Sequence, residues 1–134
     1  MKPSHKTLPD LLADGEKKRR KVLGDAHVDN AMTNAHPFNQ PLQEIITTYG
    51  WGDIWTREGL SDKTRSLLNV ALLTAMRQTN ELKGHTRGAI NNGCTPEEIR
   101  EVIIHTCLYA GAPAALSAMK VVSATLQELD CIKE

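Results

Sequence analysis

The helical character of this chain is clearest in residues 95–110, TPEEIREVIIHTCLYA. Thr95 can cap a helix whose first residue is Pro96, and Glu98 can return a hydrogen bond to the capping residue. The positions that follow keep the three-and-four spacing of one buried stripe, made of Ile99, Val102, Ile103, Thr106, Cys107 and Ala110. The segment therefore predicts a helix that begins at Pro96 and buries one face.

Helical periodicity also runs through most of the remaining sequence. The predicted helices before this segment have apolar positions three or four residues apart, and they cover residues 8–24, 27–33, 38–49, 61–77 and 80–90. A last helix, rich in small residues, follows the break at Gly111-Ala112-Pro113. Because the sequence holds no convincing run of alternating β-branched residues, we predict an all-α fold.

Three local expectations concern the middle of the chain. In the helix over residues 61–77, the stretch 67–75 is apolar on nearly every side, so we expect this helix to form the buried centre of the fold. Ser61 or Asp62 can cap its first turn, and Asn80 can cap the helix that follows. Residues 51–60 hold both tryptophans and are expected to be irregular.

Length and composition limit the class of protein. With 134 residues, 40% of them hydrophobic, the chain is typical of one globular domain. Lys and Arg number 16 against 16 Asp and Glu, which argues against nucleic acid or an anionic membrane as the main partner. The basic run at residues 17–21 is interpreted as a solvated helix face. No apolar run reaches the roughly 20 residues of a membrane span, and no secretory leader is recognised, so we expect a cytoplasmic protein.

The three cysteines give no pattern of a metal or redox site. Cys94, Cys107 and Cys131 are widely spaced, without a Cys-x-x-Cys pair or the Cys and His spacing of a zinc site. We therefore expect reduced thiols and no metal. Cys94 comes just before a helix start, an environment that can activate a thiol, so a redox role is a minor alternative.

Glu81 and His85 are the candidate pair for acid–base chemistry. They are four residues apart on one predicted helix and share a face. A neighbouring carboxylate can fix the tautomer of an imidazole and favour its protonated form, as a proton donor near neutral pH requires. From spacing alone the simpler interpretation is an exposed pair that contributes about 0.3–0.5 kcal/mol.

Other side chains near the centre of the sequence could bind a substrate. Arg57 and Arg65 could each hold a carboxylate in two-point contact, or they could be exposed helix arginines. Trp51 and Trp55 could form one wall of a pocket or fill the core. Tyr109, near the end of the apolar helix, could direct its hydroxyl group into a cavity.

These residues occur within a longer set of motifs that closely resembles the gamma-carboxymuconolactone decarboxylase family. In order, the motifs are YGWGDIWTREGL at 49–60, TRSLL at 64–68, ELKGH at 81–85, NNG at 91–93, EEIRE at 97–101 and YAGAPAA at 109–115. The resemblance extends over roughly residues 17–128. It implies a single all-α domain over residues 1–134, of the alkylhydroperoxidase D-like type. It also implies a homo-oligomeric ring, for which a hexamer is expected.

The resemblance further implies an enzyme, a carboxy-lyase without a cofactor. Its substrate would be a lactone dicarboxylate, gamma-carboxymuconolactone, and its products β-ketoadipate enol-lactone and CO2 in protocatechuate breakdown through the β-ketoadipate pathway. By resemblance, His85, oriented by Glu81, would protonate the dienolate or donate a hydrogen bond to its oxygen. The substrate-binding residues that it implies are Arg57 and Arg65, which would hold carboxylates, and Trp51 and Tyr109, which would line the pocket.

Two other functions are compatible with parts of the pattern. The same superfamily contains alkylhydroperoxidase D-like proteins that depend on a Cys-x-x-Cys pair, and this chain has no such pair. A thiol reductase that uses Cys94 or Cys107 is the first alternative, and a non-catalytic oligomeric ligand-binding homologue is the second. The chain also departs from the family pattern at Leu116, where a polar residue is common. A contact between Leu116 and the substrate would change which substrate fits.

Overall fold

The regular structure of this chain is helical wherever the structure describes it. The computed structural model describes residues 5–34 and 36–133, and in these ranges it contains no strand. The helices are α1 (Leu8–Leu23), α2 (Asp25–Thr33), α3 (Gln40–Ile45), a π-helix (Ile46–Ile54), α4 (Asp62–Ala75), α5 (Thr79–Asn91), α6 (Pro96–Ala110) and α7 (Ala112–Glu128). The predicted all-α fold is confirmed.

The helices form two compact units that divide between Gly59 and Leu60. The first unit contains α1, α2, α3 and the π-helix, and the second contains α4 to α7. The single domain over residues 1–134 stays a prediction. Among the described helices, none combines the length and the apolar character that a bilayer crossing requires.

The first unit is built around the contact between α1 and the π-helix. Helix α1 begins with a capping box in which Thr7 and Asp10 exchange hydrogen bonds of 3.3 and 3.1 Å. The core of the first unit contains Val22 and Leu23 from α1, together with Trp51 and Trp55. The stacked rings of the two tryptophans have centroids 4.8 Å apart. Aromatic stacking of this kind adds to the free energy gained from burial alone.

Two glycines bring the α1 and π-helix backbones into direct contact. A β-carbon placed on Gly15 would overlap the Thr47 carbonyl oxygen and lie 2.8 Å from the Gly52 nitrogen. A β-carbon placed on Gly52 would overlap the Leu11 carbonyl oxygen. The neighbouring atoms belong to backbone, which cannot move aside as a flexible side chain can. Both positions therefore require glycine.

Two sequence predictions for residues 38–60 are corrected. The helix over 38–49 was expected to stop near Gly50, but the chain continues as a π-helix to Ile54. Residues 51–60 were expected to be irregular, which the structure confirms for 55–60 only. The hydrogen bonds of the π-helix run to the fifth preceding residue, as from the Trp55 nitrogen to the Gly50 oxygen at 2.9 Å. Trp51 and Trp55, four residues apart, both lie on the buried side of this segment.

The second unit has a continuous apolar core. Its buried members are Val70, Leu82, Ala89, Cys94, Ile99, Ile103, Ala115, Ala118, Val122 and Leu126. The capping box predicted for α6 is confirmed, with hydrogen bonds of 3.1 and 3.0 Å between Thr95 and Glu98. In the predicted stripe, Ile99, Ile103 and Thr106 are buried. At the predicted break, Gly111 takes a positive φ of 97°, which favours glycine.

Two predictions about α4 and α5 are corrected. Helix α4 is not buried on every side: Leu68 is 47% and Leu72 is 55% exposed, because α5, α6 and α7 cover only its opposite face. Asn80 does not cap α5. Arg77 adopts a left-handed φ of 58°, and α5 already begins at Thr79. Asn80 therefore lies inside the helix and lacks the extended backbone of a capping residue.

Cys94 is a core residue of the second unit. It is buried, and its Sγ lies 3.6 Å from the Lys63 carbonyl oxygen. Burial raises the pKa of the Cys94 thiol, the Glu98 carboxylate raises it further, and the Lys63 ammonium group acts in the opposite direction. The position before a helix start therefore does not make Cys94 an activated thiol.

The close contact of α1 with the π-helix predicts a specific loss of stability. Gly15→Ala should lower the free energy of unfolding by about 2–3 kcal/mol, the upper part of the range for overpacking, measured by urea denaturation. Gly50→Ala is the matched control, because open space surrounds its β-carbon position. That variant should be unchanged or more stable by up to about 1 kcal/mol. Equal stability of the two variants would contradict the proposed backbone contact.

The environment of Cys94 predicts slow alkylation. At neutral pH, iodoacetamide should label Cys94 in the native protein at least about tenfold more slowly than in the urea-denatured chain, because burial and a raised pKa limit the accessible thiolate. Peptide mass spectrometry of a labelling time course would measure both rates. Equally fast labelling in the native protein would favour thiol chemistry at this residue.

Candidate functional site

The six residues predicted for the site fall in both units of the structure. Trp51 and Arg57 belong to the first unit. The second unit holds the other four, which are Arg65, Glu81, His85 and Tyr109.

In the first unit, Trp51 is a core residue. It is 5% exposed and stacks on Trp55 at an interplanar angle of 20°, so the core-filling alternative describes its packing. Arg57 is exposed just after the π-helix, where its backbone nitrogen donates to the Ile54 carbonyl oxygen at 3.2 Å. The substrate-binding roles of Trp51 and Arg57 stay predictions.

The first unit also contains a cavity of about 210 Å³ that none of the six residues lines. Arg19, which is 8% exposed, borders it and donates to the Gln43 Oε1 at 3.0 Å and the Thr47 Oγ1 at 3.3 Å. Leu12, Val28 and Met32 supply apolar walls. Both of these acceptors, Gln43 and Thr47, are neutral side chains of the same unit.

In the second unit, His85 lies half-buried on α5 and meets a side chain from α4. Its Nδ1 is 3.4 Å from the amide nitrogen of Asn69, which is also half-buried. Glu81 is exposed one turn earlier on α5. The structure thus brings His85 together with a residue sixteen positions earlier in the sequence.

Arg65 extends this group along α4. It is half-buried and precedes Asn69 by four residues, so the two side chains share one face of the helix. A guanidinium group can bind a carboxylate in two-point contact, and amide and imidazole N–H groups can donate to an oxygen that gains negative charge. Arg65, Asn69 and His85 together have the chemistry needed to hold a carboxylate and stabilise an oxyanion.

The α4 and α5 backbones that carry these side chains are firmly fixed. Ser66 and Val70, each next to a site residue on α4, are fully buried. The Asn92 amide, just after α5, donates to the Ser66 Oγ at 2.9 Å and the Asp62 carbonyl oxygen at 3.4 Å. The site therefore sits on two helices joined by core packing and polar contacts.

Tyr109 lies on the surface of the second unit. It is 77% exposed, and its ring centroid is 5.3 Å from that of His105, at an interplanar angle of 43°. Leu116, near the start of α7, is 70% exposed. The pocket role of Tyr109 stays a prediction.

Sequence reasoning missed Asn69, although the sequence holds a signal for it. Asn69 is the one polar residue in the run LLNVALL at residues 67–73. A polar side chain in an otherwise apolar helix segment usually has a hydrogen-bond partner, which a sequence alone does not identify. In the described ranges, no three or more His, Cys, Asp or Glu residues are grouped to hold a metal ion.

Comparison with known proteins identifies the family. The model of the carboxymuconolactone decarboxylase family matches residues 40–124. A nitrosuccinic acid decarboxylase of Metarhizium robertsii is 46% identical over 119 residues, which cover 89% of this chain and 83% of that protein. A 4-carboxymuconolactone decarboxylase of Acinetobacter baylyi is 40% identical over 120 residues, which cover 90% of each protein.

These relatives confirm the predicted enzyme class, because both are named decarboxylases and both align with about nine-tenths of this chain. Their names give two different substrates, so the class of reaction is common to them and the substrate is not. The matched region includes all of α4, α5 and α6, which carry His85 and its neighbours. The chain belongs to the carboxymuconolactone decarboxylase family.

Proposed function

We propose that this chain removes CO2 from a small dicarboxylate whose reacting carbon is conjugated to an electron-withdrawing group. The observation that carries the proposal is its similarity, along about nine-tenths of its length, to two decarboxylases named for different substrates. Both named substrates possess two carboxyl groups and an acceptor for the electrons that the departing CO2 leaves behind. That shared chemistry defines the substrate class.

Gamma-carboxymuconolactone is the first candidate substrate. Its departing carboxylate is conjugated, through the ring double bond, to the lactone carbonyl group. When the carbon–carbon bond breaks, its electron pair moves into the carbonyl oxygen, CO2 leaves, and protonation of the resulting dienolate on carbon gives β-ketoadipate enol-lactone. The reaction belongs to protocatechuate breakdown through the β-ketoadipate pathway. It requires no cofactor, because the substrate supplies the electron sink.

Nitrosuccinate is the second candidate, favoured by the 46% identity to the enzyme of Metarhizium robertsii. Loss of CO2 from the carbon that bears the nitro group leaves a nitronate, with the negative charge on the nitro oxygens. Protonation of the same carbon completes the reaction. A site that binds one carboxylate and stabilises an oxyanion serves either substrate.

The second unit supplies groups suited to these tasks. The guanidinium group of Arg65 holds the carboxylate that the product retains, since Arg binds carboxylates in two-point geometry. His85 donates to the oxygen that gains charge or protonates carbon. In the second role, Glu81, one turn earlier on α5, accepts from a ring N–H group and orients the imidazole. The protein thus contributes orientation and charge stabilisation.

We also propose that the chain works as a homo-oligomer, with a hexamer as the expected assembly. The second unit leaves several large apolar side chains in solvent, including Leu68, Leu72, Ile104, Leu108 and Leu116, which are 47–76% exposed. Exposed apolar side chains in such number are typical of a surface that another protein covers.

Light scattering tests the assembly. The native protein should have a mass several times the 14.8 kDa of one chain, and Leu108→Glu should lower that mass because it places a charge on the apolar surface. Lys120→Glu, at an exposed and already charged position of α7, is the control and should keep the wild-type mass. A wild-type mass equal to one chain would contradict the proposal.

Turnover of the two candidate substrates tests the decarboxylase function. Purified protein, with a chelator present and no cofactor added, should release CO2 from freshly prepared gamma-carboxymuconolactone or from nitrosuccinate. Loss of lactone absorbance would follow the first reaction, and chromatographic detection of the nitroalkane product would follow the second. The relative kcat/KM values would then decide between the two substrates. Failure to release CO2 from either substrate would contradict the proposed function.

Substitution of His85, compared with a control histidine, tests whether the activity depends on the candidate site. His85→Ala should lower kcat by about 10²–10⁴, the usual contribution of a positioned acid–base group, and keep the helical circular dichroism of the wild type. His36→Ala is the control, because His36 is an exposed histidine in the connection before α3. It should keep wild-type turnover. Near-normal turnover by His85→Ala would remove His85 from the mechanism.

A further inference from the structure

The contact between Asn69 and His85 has a defined direction. The Asn69 Nδ2 lies 3.4 Å from the His85 Nδ1. An amide nitrogen carries two N–H groups and accepts no hydrogen bond, so with this face of the amide toward the ring Nδ1 is the acceptor. Both side chains are half-buried, which limits the competition of water for this contact.

A ring nitrogen that accepts a hydrogen bond carries no proton. With Nδ1 as the acceptor, the neutral imidazole of His85 has its proton on Nε2. An imidazolium ion would instead direct an Nδ1–H group against an N–H group of Asn69. With its nitrogen toward the ring, the amide favours the neutral form with Nε2–H over the other two protonation forms.

We propose that Asn69 is a positioning residue that holds His85 as the neutral Nε2–H tautomer, so that His85 donates a hydrogen bond to the substrate oxygen that gains negative charge. This inference rests on the proposed decarboxylase function. It chooses between the two roles open to His85, because a neutral imidazole stabilises an oxyanion well and protonates carbon poorly. Water then supplies the proton that the product carbon gains.

The electron balance of the step is compatible with a neutral donor. The breaking carbon–carbon bond gives its electron pair to the acceptor group of the substrate, and CO2 departs. The new negative charge rests on a lactone or nitro oxygen, to which the Nε2–H donates without losing its proton. A donor fixed before the reaction stabilises this charge without reorganising, and neutral histidine is known to serve in this way.

Packing of α4 fixes the backbone position from which the Asn69 amide reaches His85. Val70 is fully buried, and Asn69 lies next to it on a helix that contacts α5, α6 and α7. Arg65 lies one turn before Asn69 on the same face. The two residues place a carboxylate-binding group beside the amide that orients the oxyanion donor.

Nitrogen NMR of the substrate-free protein tests the tautomer directly. Protein labelled with 15N-histidine should show the neutral His85 ring with a protonated Nε2 and an unprotonated Nδ1, and the signals would be assigned by their loss in His85→Ala. A protonated Nδ1 in the neutral ring would overturn the inference. Because no substrate is present, this result is independent of whether either dicarboxylate is turned over.

Asn69→Asp supplies the matched perturbation. A carboxylate only accepts, so it should draw the proton to Nδ1, reverse the 15N pattern and lower kcat by about 10²–10³, the effect of losing one oxyanion donor. Asn80→Asp adds the same charge at the exposed start of α5 and should keep the wild-type pattern and kcat. A wild-type 15N pattern and turnover in Asn69→Asp would overturn the inference. Absence of CO2 release by the wild type would overturn the proposed function alone.

Discussion

The packing of α4 against α5 is the constraint on which the candidate site depends. Asn69 and His85 are sixteen residues apart in sequence, and they meet because the two helices share a core at Val70 and Leu82. Asn92 adds a polar contact to Ser66 that fixes the position of one helix along the other. Apolar burial thus sets the relative positions of the polar groups. It is also the main source of stability in a small helical unit.

Sequence reasoning succeeded where the signal is local. The capping box at Thr95 and Glu98 and the stop at Gly111 follow from residues that contact their own neighbours in sequence, so spacing alone predicts them. It did not predict the π-helix, because a search for a period of 3.6 residues does not detect a wider turn. It also failed to pair Asn69 with His85, because that contact depends on how two helices pack.

The proposed site accounts for similarity to decarboxylases named for a lactone and for a nitro compound. Both substrates carry their own electron sink, so the protein needs to supply only orientation and a donor to an oxygen. A change of substrate then requires a change in the shape of the surroundings and leaves the donor in place. Leu116, an exposed apolar residue where the family pattern is often polar, is one position where such a change could act.

The π-helix between Ile46 and Ile54 has a consequence for how this segment can evolve. One residue added to or removed from a helix rotates everything beyond it by about 100°, because an α-helix has 3.6 residues per turn. A one-residue deletion between Thr47 and Gly52 would rotate these two residues relative to each other, although both lie against α1. Selection should consequently remove insertions and deletions in this segment. When relatives are aligned, the length of residues 46–54 should therefore help to identify the π-helix as much as the residues themselves do.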